Sequence, residues 1–434
     1  MVRPLCLMLL LGWLGSTSAQ AALPPGFGRH PEDLRVKLVT FGPGQEAHQL
    51  FGHSALWLED TRLGTDVLYS YGMTTHEGQG SALHFLVRHQ PFWAARLSVA
   101  HTFATYQRED RSITAQELRL TPRARRRLLA RLERDVSPEH RLYAYHPTDN
   151  NCATRVRDAL DEALEGSLRA ASTLPARFSW REHLRRHTRH HPVLGLLLLT
   201  WVNDVMDAPR TRWEEAFAPR ELARLLDTAS APEGHGGFVL HRVDVSVSSA
   251  TPVSDEEASA SLLRGLFILG AAIAGGAVLL SVRRERAATP GVRIAFGLYT
   301  ALFGLVSGAV GCVGLLLTRY SEHAALRGSE SLLLFNPLAL ALVPLGIGVV
   351  FGSQRAERWT RTCVVGLTGC ALLAVALKVL PAFGQDLREP LALMLVAHLG
   401  FGLAWGRTWH RTPGAAEGSA SGRQQHVHPG ATSR

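Results

Sequence analysis

Past residue 260 the chain is dominated by five apolar stretches, at 262–282, 294–317, 332–351, 364–380 and 391–405. Most approach the roughly 20 residues that a helix needs to cross bilayer hydrocarbon. A buried helix of a soluble domain rarely runs so long without a charge. The fourth stretch carries Lys378 near one end, where it can snorkel to the interface, and the last is short. The pattern predicts an all-α transmembrane domain of five helices over 261–411. Arginine sets its orientation. Arg283, Arg284, Arg286 and Arg293 lie between the first two stretches, and Arg355, Arg358 and Arg361 between the third and fourth. The 319–330 connection balances its charges and 381–390 is slightly acidic. Arginine-rich loops stay cytoplasmic, so the residues before 260 are expected outside and the C-terminus inside.

The N-terminus agrees with that topology. Arg3, an apolar core over 5–13, and small residues at Thr17-Ser18-Ala19 or Ala19-Gln20-Ala21 read as a secretory signal over 1–21. An uncleaved anchor is the alternative. Cys6 lies inside the apolar core with no small residues before it, which makes a poor lipobox. The formal net charge is +9. Part of it is the topological arginine; the rest sits on the exported region, notably 119–141 and 181–189. Export argues against nucleic acid as the partner, and anionic phospholipid headgroups suit basic surface beside a membrane.

Residues 22–245 read as one mixed α and β domain. Strands are expected at 35–40, 54–58 and 66–71, the last two separated by a charged turn. Thr121 is a good N-cap and Pro122 suits the first position of a helix. A second helix is expected from Cys152 toward Leu164, with Val156, Leu160 and Leu164 along one face. The apolar run 193–202 is too short to span a membrane and reads as a core helix, with a membrane-dipping role as the alternative. Residues 246–260 form a polar linker, and 412–434 a disordered cytoplasmic tail.

Chemistry centres on cysteine. After removal of the leader four remain; Cys312 and Cys370 fall within apolar stretches and Cys363 at a membrane edge, so only Cys152 belongs to the exported domain. Alone in a disulfide-forming compartment, it is either buried and inert or kept for reactivity. Turn-forming residues lead into a helix whose first turn holds it. Free N–H groups and the helix dipole there would lower the thiol pKa, and the same groups could form an oxyanion hole. Arg155 stands one turn along. A thiol nucleophile needs a base, and His53 has the best context, where a turn enters an apolar strand. His48, His76, His84, His101 and His146 compete. His183 and His187 have metal-ligand spacing, yet arginines surround them and a solvated basic face is the expectation. No metal and no cofactor is called for.

The segments Phe41-Gly42-Pro43-Gly44, Leu50-Phe51-Gly52-His53-Ser54, Tyr69-Ser70-Tyr71-Gly72 and Asp149-Asn150-Asn151-Cys152-Ala153-Thr154-Arg155-Val156-Arg157-Asp158 together resemble the periplasmic domain of the Lnb-type lipoprotein N-acyltransferases. Tyr106, Arg111, Gln116 and the entry to the helix at Thr121 add to the likeness, which covers most of 35–220. His323 and Asn336-Pro337-Leu338 resemble an outward loop of some members, although Ser329-Glu330-Ser331 stands where asparagines are expected. The resemblance implies an α+β, permuted papain-like fold of the NlpC and lecithin:retinol acyltransferase kind. It implies that Cys152 takes an acyl chain as a thioester, with His53 as general base and the lipoprotein's N-terminal cysteine amine as acceptor. Tyr71, Ser54 and Asn151 are candidates to orient His53 or bind the oxyanion; Arg155, Arg157 and His323 are candidates to bind substrate. Bacterial lipoproteins and membrane phospholipids would be the partners. A thiol phospholipase or amidase on the same fold, or a silent lipid-binding module, are the alternatives.

Overall fold

A computed structural model of the chain describes residues 20–74, 86–230, 236–250, 259–287 and 289–407. The leader before residue 20, His76, His84, most of the linker and the C-terminal tail therefore lie outside the described residues. The chain divides into two compact units.

The first unit is built on an antiparallel sheet. Its strands are β1 (Leu34–Phe41), β2 (His53–Asp60), β3 (Thr65–Met73), β4 (Pro91–Leu97), β5 (Ile113–Leu118), β6 (Leu142–Ala144) and β7 (Val239–Ser246). They lie in the order β6-β4-β3-β2-β1-β5-β7, every neighbouring pair antiparallel. The three strands read from sequence are β1, β2 and β3, each slightly longer than expected. Side-chain alternation divides the sheet into two faces. Leu34, Val36, Leu38, Leu56, Leu58, Tyr69 and Tyr71 bury one face against helices α2 (Pro122–Val136), α3 (Cys152–Ala163) and α6 (Pro219–Thr228). Val39, Phe41, Ala55 and Leu68 bury the other against α1 (Val99–Arg108).

The helix starts follow local chemistry. The Thr121 hydroxyl accepts from Ala124 N–H with Pro122 just inside, and the Asn151 side chain accepts from Thr154 N–H. The arginines of α2 are largely spent on its neighbour. Arg123 and Arg127 pair with Glu165, and Arg131 and Arg134 with Glu162.

Helix α4 (Trp180–His187) overturns the expected solvated basic face: Arg181, His183, Arg185, Arg186 and His187 are all buried. Arg181 pairs with Asp207 at 2.6 Å and donates to the carbonyls of Leu199, Val202 and Asn203. His183 Nε2 lies 3.0 Å from Glu215. A buried cation is tolerated only when partnered in this way. Helix α5 (Pro192–Trp201) departs from a core helix too. Leu199 and Trp201 are buried, whereas Val193 is 72% and Leu197 48% exposed.

The second unit is helical. Four helices are long and apolar enough to cross a membrane: Ser261–Arg286, Pro290–Tyr320, Gln354–Val379 and Arg388–Gly406. The third stretch expected from sequence is a broken pair, Ala324–Leu333 and Pro337–Val350, which makes five spans only if the pair counts as one. Pro337 explains the break. It has no N–H to continue the preceding helix, and the Asn336 side chain caps the new one by accepting from Leu338 N–H. Phe267, Ile268, Leu298 and Leu302 are exposed, the inside-out pattern of lipid-facing helices. Close helix approach rests on small residues: a Cβ on Gly400 would fall 2.3 Å from Ala274 Cα.

Candidate active site

Cys152 is the first residue of α3, and the loop before it is tightly made. His146 and Asn150 exchange backbone hydrogen bonds in both directions, and the Asn150 side chain donates to the Ala144 carbonyl at 2.7 Å. Asn151 accepts from Thr154 N–H at 2.9 Å through Oδ1 and donates through Nδ2 to the carbonyls of Pro147 and Phe217. These contacts assign Asn151 to the cap that fixes the cysteine's backbone. The thiol faces three backbone N–H groups, those of Ser54, Ala153 and Cys152 itself, which with the Arg111 charge favour the thiolate. Burial outweighs them, so the thiol pKa is raised. This corrects the expectation of a thiolate stabilised at rest.

His53 opens β2 behind a sharply constrained turn. Gly52 has φ +80°, and a Cβ there would lie 2.4 Å from the Phe41 carbonyl oxygen, so no other residue fits. Phe51, just upstream, stacks on His187 of α4 with centroids 4.2 Å apart. The buried basic helix thus holds the turn that aims His53. The His53 Nε2 atom lies 2.8 Å from Ser70 Oγ on the neighbouring strand. Burial, with a smaller contribution from the Arg111 charge, lowers the His53 pKa to about 4. At neutral pH the site therefore holds a neutral imidazole and a neutral thiol.

Gly72 marks where the two meet. At φ +94°, beside a register shift between β3 and β4, it leaves open a point 3.8 Å from Cys152 Cβ, 3.9 Å from His53 Cε1 and 4.0 Å from the Tyr143 hydroxyl. Both reactive side chains are partly exposed. Tyr106, Tyr143 and Tyr145 wall the site, each close enough to feel charge on Cys152; burial pushes the Tyr106 phenol up to about 12 and raises the other two further. Arg111 lies over the Tyr106 ring at 4.3 Å and donates to the Gly42 carbonyl.

The remaining sequence candidates divide. Ser54 contributes its backbone N–H beside the thiol, not its hydroxyl. Tyr71 points to the opposite face of the sheet, where it donates to Asp135 at 2.8 Å, and so does not orient His53. Ser70 takes that place and was missed; β-strand alternation puts it on the His53 face, but only the Ala55–Ser70 register identifies it as the neighbour. Arg155 lies over the Tyr143 ring and bonds Asn150. Arg157 lies over the Trp213 ring and pairs with Asp158. His323 is buried beside His89 and His146.

Residues 29–186 match the family model of the Lnb N-terminal periplasmic domain. His53, Ser70, Gly72 and Cys152 all fall inside the matched span. No curated protein and no solved structure matches the chain. The match and the apolar helices describe a membrane protein with a periplasmic N-terminal domain.

Proposed function

Taking residues 29–186 as an Lnb-type periplasmic domain, we propose that the chain is a thiol acyltransferase that N-acylates the N-terminal cysteine of bacterial lipoproteins. Cys152 is the nucleophile and His53 the general base. The observation that carries this reading is the convergence of both side chains on Gly72, with backbone N–H groups around the sulfur. A helix-borne cysteine packed on an antiparallel sheet, with its histidine on a strand and earlier in the chain, fits a permuted papain-like arrangement.

In the first half-reaction the Cys152 sulfur attacks an acyl ester carbonyl of a phospholipid or diacylated lipoprotein. The thiol proton passes to His53, then to the departing alcohol, and a thioester remains. With Nε2 engaged by Ser70, Nδ1 is the nitrogen left for the thiol. The N–H groups of Cys152 and Ser54, which lie beside the sulfur, would receive the oxyanion. In the second half-reaction the lipoprotein amine attacks the thioester through His53, an amide forms and the thiol is restored. The arginine-rich loops support a cytoplasmic-membrane protein with its C-terminus inside, and tethering the domain to the membrane would raise the effective concentration of acyl chains available to it.

The test expresses wild type, Cys152→Ala and His53→Ala in cells depleted of their own lipoprotein N-acyltransferase, with lipoprotein N-termini read by mass spectrometry. Wild type restores N-acylation and both variants do not. Wild type expressed without N-acylation overturns the acceptor; an acyl thioester on Cys152 in that case would assign a thiol phospholipase or amidase instead.

A further inference from the structure

Away from Cys152, the first unit gathers three histidines from distant parts of the sequence. One ring nitrogen from each of His89, His146 and His323 lies within 4.8 Å of the other two. Ring centroids are 4.7 Å apart for His89 and His323, and 5.5 Å for each of the other pairs. Each ring comes from a fixed piece of backbone. The 86–89 and 321–323 segments are laced together: the Ser321 hydroxyl donates to the Leu86 carbonyl, Glu322 N–H to the Val87 carbonyl, and His89 N–H to the Glu322 carboxylate. His146 belongs to the closed loop that leads into Cys152.

We propose that His89, His146 and His323 form a three-histidine site for a divalent transition metal of the zinc type. Zinc prefers imidazole nitrogen, and three histidines leave a fourth tetrahedral position for water or another ligand. His89 has the surroundings of a metal-bound histidine, whose second ring nitrogen is turned to a carboxylate. His89 Nδ1 lies 3.5 Å from Glu322, and its Nε2 is buried with no hydrogen-bond partner among the described residues. His146 Nδ1 lies 3.2 Å from Asp149. Without metal His146 Nδ1 accepts from the backbone N–H groups of Thr148 and Asp149, at 3.4 and 3.2 Å; metal at Nε2 would move the ring proton to Nδ1 and exchange those contacts for the Asp149 carboxylate. Bound metal would tie the loop before Cys152 to the 86–89 and 321–323 segments.

The experiment uses full-length, detergent-solubilised protein without a histidine tag, in which His410, His426 and His428 are replaced by Gln so that the tail contributes no ligands. After chelator stripping it is titrated with zinc by equilibrium dialysis, and with cobalt for its absorption spectrum. About one zinc per chain is expected, kept in Cys152→Ser, with tetrahedral cobalt bands and no thiolate charge transfer. His89→Gln and His323→Gln should each lower affinity at least tenfold. Glu322→Gln, at a largely exposed carboxylate, should lower it about 10- to 100-fold and serves if a histidine variant does not fold. No bound zinc, affinity unchanged in all three variants, or binding lost in Cys152→Ser would overturn the proposal.

Discussion

At the scale of single residues, the reactive pair differs from the one that a helix N-terminus alone would predict. Sequence singled out Cys152 as the lone cysteine of the N-terminal domain and His53 through the likeness of its motif. Their protonation was not legible, since it turns on burial. With the thiol raised and the imidazole lowered to about 4, proton transfer has to accompany attack. Two outcomes follow. Iodoacetamide labelling of Cys152 should still be climbing with pH beyond the ordinary thiol pKa of about 8.5, and a plateau below neutrality would contradict the raised pKa. Acyl-enzyme formation should be flat across roughly pH 5 to 8, because His53 is already deprotonated there and its acid limb lies near its own pKa. Ser70→Ala should cost about tenfold in kcat, roughly the loss of one oriented hydrogen bond, with Ser70→Thr recovering most of it. Unchanged kcat in Ser70→Ala would remove Ser70 from the positioning of His53. That serine stood in a quoted motif, yet strand register, which no single strand encodes, was needed to see its role.

At the scale of elements, the clearest difference between sequence and structure is α4. A run of arginine and histidine reads as solvated because charge is usually exposed; here Asp207, Glu215 and several carbonyls on other elements complete it from afar. Local composition cannot announce partners that tertiary folding supplies. The helix matters to the site because His187 carries Phe51 and hence the turn before His53. Burial holds the His187 pKa down to about 3. A folded-state pKa below the unfolded value of about 6.5 leaves stability intact above that pH and erodes it as pH falls toward 3, by up to about 1.4 kcal/mol per unit. The melting temperature should therefore fall between pH 7 and 5, and His187→Phe, which preserves the stack on Phe51, should flatten part of that slope. An identical slope in the variant would assign the acid sensitivity elsewhere. The expected helices at Pro122 and Cys152 both formed: Thr121 was readable as a cap, whereas Asn151, a candidate to orient His53 or bind the oxyanion, proves to cap the second.

At the scale of the whole molecule, each apolar stretch marked a helical segment, because bilayer thickness imposes the apolar length and no tertiary contact has to be known, although Gln354–Val379 begins ten residues before the stretch expected from 364. The exception is the third, where Asn336-Pro337 breaks the helix. Whether that pair crosses once decides the side on which the chain ends. With the N-terminal domain outside, five crossings return the C-terminus to the cytoplasm and four leave it outside. The arginine-rich connections favour five, since four would carry Arg355, Arg358 and Arg361 to the outer face, against the positive-inside bias. Fusions after residue 407 read this directly. A fluorescent protein that matures only in the cytoplasm should glow, and alkaline phosphatase at the same point should be inactive. The reverse pair of results would make the broken pair a re-entrant element, with Asn336 and Pro337 at its tip. It would also move the arginine-rich 352–362 connection to the side of the N-terminal domain, as a basic surface beside the lipid headgroups there.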